Sequence, residues 1–433
     1  MGGEKNNQNY LRGDGKLPSI LVQAQTISDG WHKAMIACKD SGLRVETPKY
    51  VSGQSLGYDA DINVRVANPM EDFEKNQRHK FGLFDDDRGI MQYILEVTHG
   101  IHNHWKKDPN DPNDTRWGYT YNERFNDQIP LILARIKYDW DKRRRITGRD
   151  YQWTTWRPEE DIILEQEDPP CLQRGHFRFA MNSQGVWVCN YVSDWRSRDE
   201  SKAWEENNKG QAKLQNNFAL KVSDMLGIPV LVGSYSDRSS SLHIYGKYVD
   251  EDRIEAQIEQ MRAGTLNDFL VPLFIEDEKK LKRIIAAQID AELRGEGQNQ
   301  SEDRLERLGY DLDTFTYPTD WDCWPKSWDV EPDPIILFKG RKNVIEESMI
   351  RMIIKAKKVL GSHYKTATLK QVLDDLKTGK VNDRLRASPF CGEEIDIKEF
   401  QERIKAYELL ASSSDFWHGG LRNLDSLFQR YRS

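Results

Sequence analysis

Apolar and polar positions repeat with two different periods along this chain, and the change of period marks its elements. Residues 19–40 open with an apolar run that reads as a strand. They continue as a helix, with Trp31, Met35 and Ile36 inward and Ser28 or Asp29 available as a cap. A Gly-, Ser- and Pro-containing loop fills 41–60, and 61–69 alternates as a half-buried strand does. Residues 88–100 predict a helix stopped by Gly100. Residues 108–114 are a turn-rich insertion. A helix over 127–140 runs into the basic turn Lys142, Arg143, Arg144, Arg145. Two alternating runs in 175–195 flank Asn182-Ser183-Gln184-Gly185 and predict a hairpin. A helix over 208–227 ends at Gly227, and 227–236 and 241–249 read as two strands. From about 250 the pattern turns mostly helical, with 295–303 as an exposed loop. Residues 343–361 predict an amphipathic helix capped by Asn343 and Glu346 and stopped by Gly361. There is no internal repeat, and 1–18 read as a disordered tail.

Composition narrows the class. The 433 residues allow two to three average domains or one large domain with additions. Apolar residues make up 38%, and mean hydropathy is -0.77. With 13 Trp, 17 Tyr and 15 Phe there is ample material for a core. No run of about 18 apolar residues exists, so no membrane span is expected. The polar start lacks the apolar segment of a secretory signal and the Ser or Thr of a myristoylation site. A net charge of -7 and a pI near 5.8 argue against a nucleic-acid coat or a membrane-surface protein. They leave room for a small anionic ligand held by a local arginine cluster. Five scattered cysteines with no C-x-x-C pair exclude a disulfide framework or a zinc site and favour a cytoplasmic setting.

The chemistry centres on Pro169-Pro170-Cys171. A cysteine directly after two prolines and leading into a strand sits on a rigid corner. A lone cysteine is more often a structural one; the surrounding pattern changes that balance. Upstream lie Gly118-Tyr119-Thr120-Tyr121, Asp127-Gln128, Arg143 to Arg145 and Trp156-Arg157-Pro158-Glu159. Downstream come Arg196-Ser197-Arg198-Asp199, Ala203-Trp204-Glu205-Glu206-Asn207 and His243-Ile244-Tyr245.

This ordered set, from about 20 to 265, resembles the thymidylate synthase and pyrimidine-nucleotide hydroxymethylase superfamily. The Cys171-Leu172 pair, where the common bacterial motif has a histidine second, looks more like the archaeal and phage branches. The resemblance implies an α+β fold, a three-layer arrangement whose twisted mixed sheet packs against a partner subunit in a homodimer. It implies a catalytic domain at 19–265, while 266–433 form a mostly helical C-terminal extension outside the resemblance, an accessory element beside the cofactor cleft.

It also implies roles. Cys171 is the nucleophile at C6 of the pyrimidine, and nearby cations must favour its thiolate. Arg196 contacts that thiolate and the nucleotide phosphate, which Ser197 also binds. Two of Arg143, Arg144 and Arg145, with Arg144 and Arg145 preferred, reach the phosphate of the neighbouring subunit's nucleotide, since a guanidinium fork matches phosphate oxygens. Arg44, or second Lys49, serves the phosphate loop. Asn207 reads the base edge as a carboxamide that suits uracil, with Asn208 or Gln211 as alternatives. His243 and Tyr245, two apart on one strand, bind the sugar hydroxyl. Asp199 anchors the pterin, with Trp117 beside it, and Tyr121 takes part in removing the C5 proton. Strict spacing back from Gly100 places Tyr93 at the catalytic glutamate position; Glu96, one turn on, is the candidate.

The implied cofactor is 5,10-methylenetetrahydrofolate, and the implied substrate is a pyrimidine nucleoside monophosphate. The expected activity is dUMP hydroxymethylation, in the host cytoplasm if the chain is phage-encoded. The alternatives are thymidylate synthase, a dCMP or CMP hydroxymethylase, and an inactive binding or scaffold relative. Neither membrane nor nucleic acid is expected as a partner.

Overall fold

Eight strands in one mixed sheet carry the fold among the described residues of this computed structural model. Those residues are 16–45, 56–76, 87–107, 114, 116–163, 168–247, 253–272, 278–298 and 300–329. The predicted helix at 343–361, the turn-rich run 108–113, Lys49 and most of the N-terminal tail lie outside them.

In chain order the elements begin with β1 (Ser19–Ala24), α1 (Ile27–Ser41), β2 (Leu43–Val45), β3 (Gly57–Val66), β4 (Lys75–Asn76) and α2 (Asp87–His99). Then come α3 (Tyr121–Phe125), α4 (Gln128–Arg143), β5 (Gln152–Thr154), α5 (Pro158–Asp161), β6 (Leu172–Met181), β7 (Trp187–Trp195) and β8 (Arg198–Asp199). The remainder is α6 (Trp204–Leu226), β9 (Val230–Ile244), α7 (Arg253–Ala263), α8 (Leu266–Phe269), β10 (Val271–Pro272), α9 (Glu278–Leu293) and α10 (Glu302–Arg307). The sheet order is β1-β3-β9-β7-β6-β5, with β2 added to β3 and β8 to β9. β1 runs parallel to β3, and both β7 and β8 run parallel to β9; the other pairs are antiparallel. The class is therefore α+β, as expected.

Alternation on β7 explains the layering. Trp187, Cys189, Tyr191, Ser193 and Trp195 are buried, while the residues between them are half-buried. The buried face meets α6, where Phe218 stacks on Phe177 at 3.7 Å between ring centroids. Aromatic rings of this size supply most of the buried apolar area. The β6–β7 hairpin forms as predicted: Asn182 Oδ1 accepts from the backbone N–H of Gln184 and Val186, and Gly185 takes φ +77°.

Three sequence expectations need correction. α1 is capped by Thr26, whose hydroxyl accepts from the Asp29 N–H; Ser28 is instead buried and donates to Glu205. α6 starts at Trp204 rather than 208, so Asn207 lies inside its first turn. The two strands expected over 227–249 are one, β9. The polar run between the two expected strands continues the strand, and its Asp237 and Ser239 are fully buried because other elements satisfy their side chains.

Part of the segment beyond 265 packs on the body. Leu281, Ile285 and Ala286 of α9 join Met91, Leu95 and Ile101 of α2 and its following turn, along with Trp321. The other side of α9 buries Ile284, Ala287 and Ala291 against Leu305, Tyr310 and Leu312.

Candidate active site

Cys171 stands at the start of β6, on the corner made by Pro169 and Pro170. Its carbonyl accepts from the Arg196 N–H at 2.8 Å, which ties the corner to the end of β7. The Arg196 side chain returns to the same corner. Its Nε donates to Pro170 O at 3.0 Å and its Nη2 to Pro169 O at 2.6 Å. A guanidinium has five N–H donors, so this anchoring leaves donors for a ligand, and the side chain is still 36% exposed. The sequence-predicted pair of cysteine and arginine is thus held together by backbone geometry.

Tyr121 is the first residue of α3, whose N-cap hydroxyl, Thr120, accepts from the Glu123 N–H at 3.2 Å. That cap fixes where Tyr121 points. Its ring meets Trp195 edge-on at 5.8 Å and lies 6.0 Å from Tyr119. Burial first, then the nearby Cys171, pushes the Tyr121 hydroxyl well up from its ordinary value. Tyr119 and Tyr93 are shifted the same way, again chiefly by burial, and both feel Cys171. Burial thus keeps all three phenols protonated.

A cavity of about 170 Å³ lies beside them, lined by Tyr93, Glu96, Trp117, Tyr119 and Tyr121 among others. Glu96 and Trp117 thus share one space with Tyr121. Among the described residues, the buried Tyr93 hydroxyl has no hydrogen-bond partner. Gly100 makes the turn out of α2 possible: at φ +65°, a Cβ would meet Asn103 and Asn122 at 2.3 and 2.4 Å.

The residues expected at the nucleotide divide into groups. His243 faces Asp199 across the β8–β9 pairing, and its ring lies 4.6 Å from that of Tyr245, just past the strand end. Burial lowers His243 to about 4, so it is neutral at ordinary pH. Its Nδ1 is 3.3 Å from Ser241 O, and its buried Nε2 has no partner. Asp199 Oδ1 accepts from Ser201 N–H at 2.8 Å and from Lys202 N–H at 3.3 Å; burial raises its carboxyl to about 6.

Asn207 is buried, and its carboxamide makes no hydrogen bond to a described residue. The alternatives have their oxygens engaged, while the Asn208 Nδ2 and Gln211 Nε2 groups are buried without a partner among the described residues. Asn208 Oδ1 accepts from Arg198 at 3.1 Å and Tyr235 at 2.6 Å, and Gln211 Oε1 accepts from Tyr191 at 2.7 Å. Ser197 is half-buried between β7 and β8. Arg44 lies over the Tyr58 ring at 4.3 Å, on β2. Arg144 takes the left-handed conformation at φ 49° where α4 ends, over Trp140 at 5.6 Å. Arg144 and Arg145 are exposed and have no contact with the Cys171 corner among the described residues.

The sequence reading missed the histidine beside Glu96. His102 Nδ1 lies 2.5 Å from Glu96 Oε1, and its Nε2 lies 3.3 Å from Glu292 Oε2 of α9. The signal was His99, His102 and His104 within one short stretch. A larger cavity, about 410 Å³, lies on another side of α2 and is lined by Asp72, His99, Lys213 and Lys282 among others. None of the sequence-predicted site residues lines it.

No family model matches this chain, and no curated protein sequence matches it. Among solved structures it is similar to a thermostable thymidylate synthase A from Bacillus subtilis, at 13% identity over 57% of this chain and 95% of that one, with a TM-score of 0.37. At that identity and score, the likeness carries no argument about chemistry.

Proposed function

We propose that this chain is a folate-dependent enzyme that adds a one-carbon unit to C5 of dUMP and releases the 5-hydroxymethyl nucleotide. The observation that carries the proposal is the Cys171 corner: a thiol at a strand start, with Arg196 anchored on the same two prolines. Cys171 attacks C6, which turns C5 into a nucleophile. Arg196 keeps a positive charge beside the thiolate and offers its remaining donors to the phosphate, with Ser197 and Arg44. Arg144 and Arg145, solvent-facing in the single chain, reach the phosphate in a homodimer with shared sites. Tyr121 and Glu96 border the space for the C5 proton and the base carbonyl. Asn207 reads the base, and His243 with Tyr245 holds the sugar hydroxyl.

The aromatic walls of the cavity and the unpartnered Tyr93 hydroxyl fit one flat polar ring, and Asp199 with Trp117 would hold the pterin. When bound, 5,10-methylenetetrahydrofolate supplies the electrophilic carbon. Whether water or hydride completes the product depends on how well the closed site excludes water. The experiment is tritium release from C5-labelled dUMP and dCMP, with and without the folate, followed by mass analysis of the product. We expect folate-dependent release from dUMP, a 5-hydroxymethyl product and free tetrahydrofolate. Dihydrofolate formed in step with turnover would establish thymidylate synthesis instead. Absence of release from every pyrimidine nucleotide would refute the proposed activity.

The base preference has its own test. Asn207→Asp should shift the dUMP-to-dCMP ratio of kcat/KM toward cytosine by about 100-fold, because a buried polar mismatch costs several kcal/mol. A wild-type preference for dCMP would reject Asn207 as the uracil reader.

A further inference from the structure

We propose that Glu292, far along the chain on α9, is a positioning residue of the catalytic site: it acts through His102 to hold Glu96 against the cavity. The inference rests on the one-carbon transfer reading above.

The geometry joins three segments. Glu96 is on α2, His102 in the turn after it, and Glu292 on α9. Both ring nitrogens of His102 face carboxylate oxygens, Glu96 at 2.5 Å and Glu292 at 3.3 Å. The Glu96 contact is a hydrogen bond, whereas the Glu292 contact is one of charge, since Glu292 Oε2 accepts no hydrogen bond among the described residues; a carboxylate at each nitrogen favours the imidazolium. The ring is 2% exposed and the Glu292 side chain 1%, so each needs the other's charge. Glu96 Oε1 takes a second bond from Gln92 Nε2 at 3.1 Å. Both of its hydrogen bonds therefore fall on one oxygen, and Oε2 accepts none from the described residues.

The charged surroundings are consistent with this. From α2 come Glu96 and the phenol Tyr93; from α9, Glu292. From its own segment, His104 lies 3.4 Å from the same Glu292 oxygen, and Trp117 meets the His102 ring edge-on at 5.8 Å. Arg116, next to Trp117, is paired with Asp114 instead. Burial disfavours charge on His102, but the neighbouring Glu292 and Glu96 carboxylates outweigh it and raise the ring to about 9.

A structural purpose alone accounts poorly for this cluster. Leu281, Ile285 and Ala286 already dock α9 on α2 through apolar contact. Buried ion pairs are weak stabilisers once desolvation is counted. Here the charges touch a carboxylate that lines the cavity beside Tyr119 and Tyr121.

The linkage sign follows from the raised value. The imidazolium contributes fully below the ordinary histidine value and is lost as pH rises through about 9. In Glu292→Gln the ring loses one of its two counter-charges, so it should titrate at least about one unit lower. The test uses the full chain, comparing wild type, Glu292→Gln, Glu292→Asp and the apolar control Ile285→Val. One arm follows the His102 ring by nitrogen-15 NMR against pH. The other measures C5 tritium release from dUMP against pH. In Glu292→Gln we expect kcat to fall about 10- to 100-fold. KM for the nucleotide should hold within about twofold, and the alkaline limb should move down with the His102 titration. Glu292→Asp keeps the charge and should recover most of the rate; it also serves as the readout should the glutamine variant fail to fold. Equal kcat and an equal alkaline limb in Glu292→Gln and Ile285→Val would overturn the inference. So would a His102 titration in Glu292→Gln equal to that of wild type, whether or not the chain turns over. Absence of C5 exchange by an intact wild-type chain would overturn the proposed activity itself.

Discussion

Replacing Cys171 with serine is expected to lower turnover by about three orders of magnitude or more, while dUMP binding stays within a few-fold of wild type. The separation of the two effects follows from the corner. The Cys171 carbonyl is held by the Arg196 N–H, and Arg196 is held by the carbonyls of Pro169 and Pro170. None of these bonds uses the sulfur. A serine hydroxyl would occupy the same place with the arginine still beside it, but its much higher pKa would leave it rarely ionised. Calorimetric binding of dUMP and C5 tritium release measure the two quantities independently. Turnover above a few per cent of wild type in a verified serine variant would mean that no covalent adduct at Cys171 is needed. Loss of binding in parallel with rate would mean that the corner had moved.

Asp237→Ala is expected to destabilise the fold by about 3–5 kcal/mol, through loss of a buried charge pair in the sheet. Asp237 is paired with Arg198, and their side chains are 0% and 2% exposed. The Asp237 carboxylate also accepts from Trp204 Nε1 at 2.9 Å and Ser193 Oγ at 2.9 Å. Arg198 in turn donates to Ser239 at 2.8 Å and Asn208 at 3.1 Å, and its guanidinium lies 4.3 Å from the Trp195 ring centre. Removing the carboxylate leaves a buried cation and several donors without an acceptor. Urea denaturation should show the loss as a lower midpoint with an unchanged slope. The double change Asp237→Leu with Arg198→Met should recover much of it, because an apolar pair of similar volume avoids the orphaned charge. A loss below about 1 kcal/mol for Asp237→Ala would show that the pair is effectively solvated. The network also precedes the site, since Arg198 is the neighbour of Asp199 on β8 and Asn208 follows Asn207 on α6.

Local pattern alone located much of the chain. The strand and helix of β1 and α1, the helix closed by Gly100, and the Asn182 hairpin all rest on signals within a few residues: period, cap and turn. Such signals are properties of single positions and near neighbours, which a sequence displays directly. The corner that joins Cys171 and Arg196 is likewise local in origin, because two prolines restrict the backbone wherever they occur.

What the sequence could not decide depends on partners. The polar run inside β9 interrupts the apolar pattern because polarity argues against burial, and only contacts with β7, β8 and α6 allow it to be buried. Asn207 stands out from Asn208 and Gln211 only when the core is seen to engage the oxygens of the other two carboxamides. Glu292 shows no local sign of belonging near Glu96. Its role depends on His102 standing between the two carboxylates, and a pairing across so many intervening residues is fixed by packing of α9 on α2, not by any pattern in either segment. The sequence determined many of the elements and the Pro-Pro-Cys corner; the tertiary structure decided which polar groups are satisfied within the fold, because hydrogen bonding and charge compensation are properties of pairs.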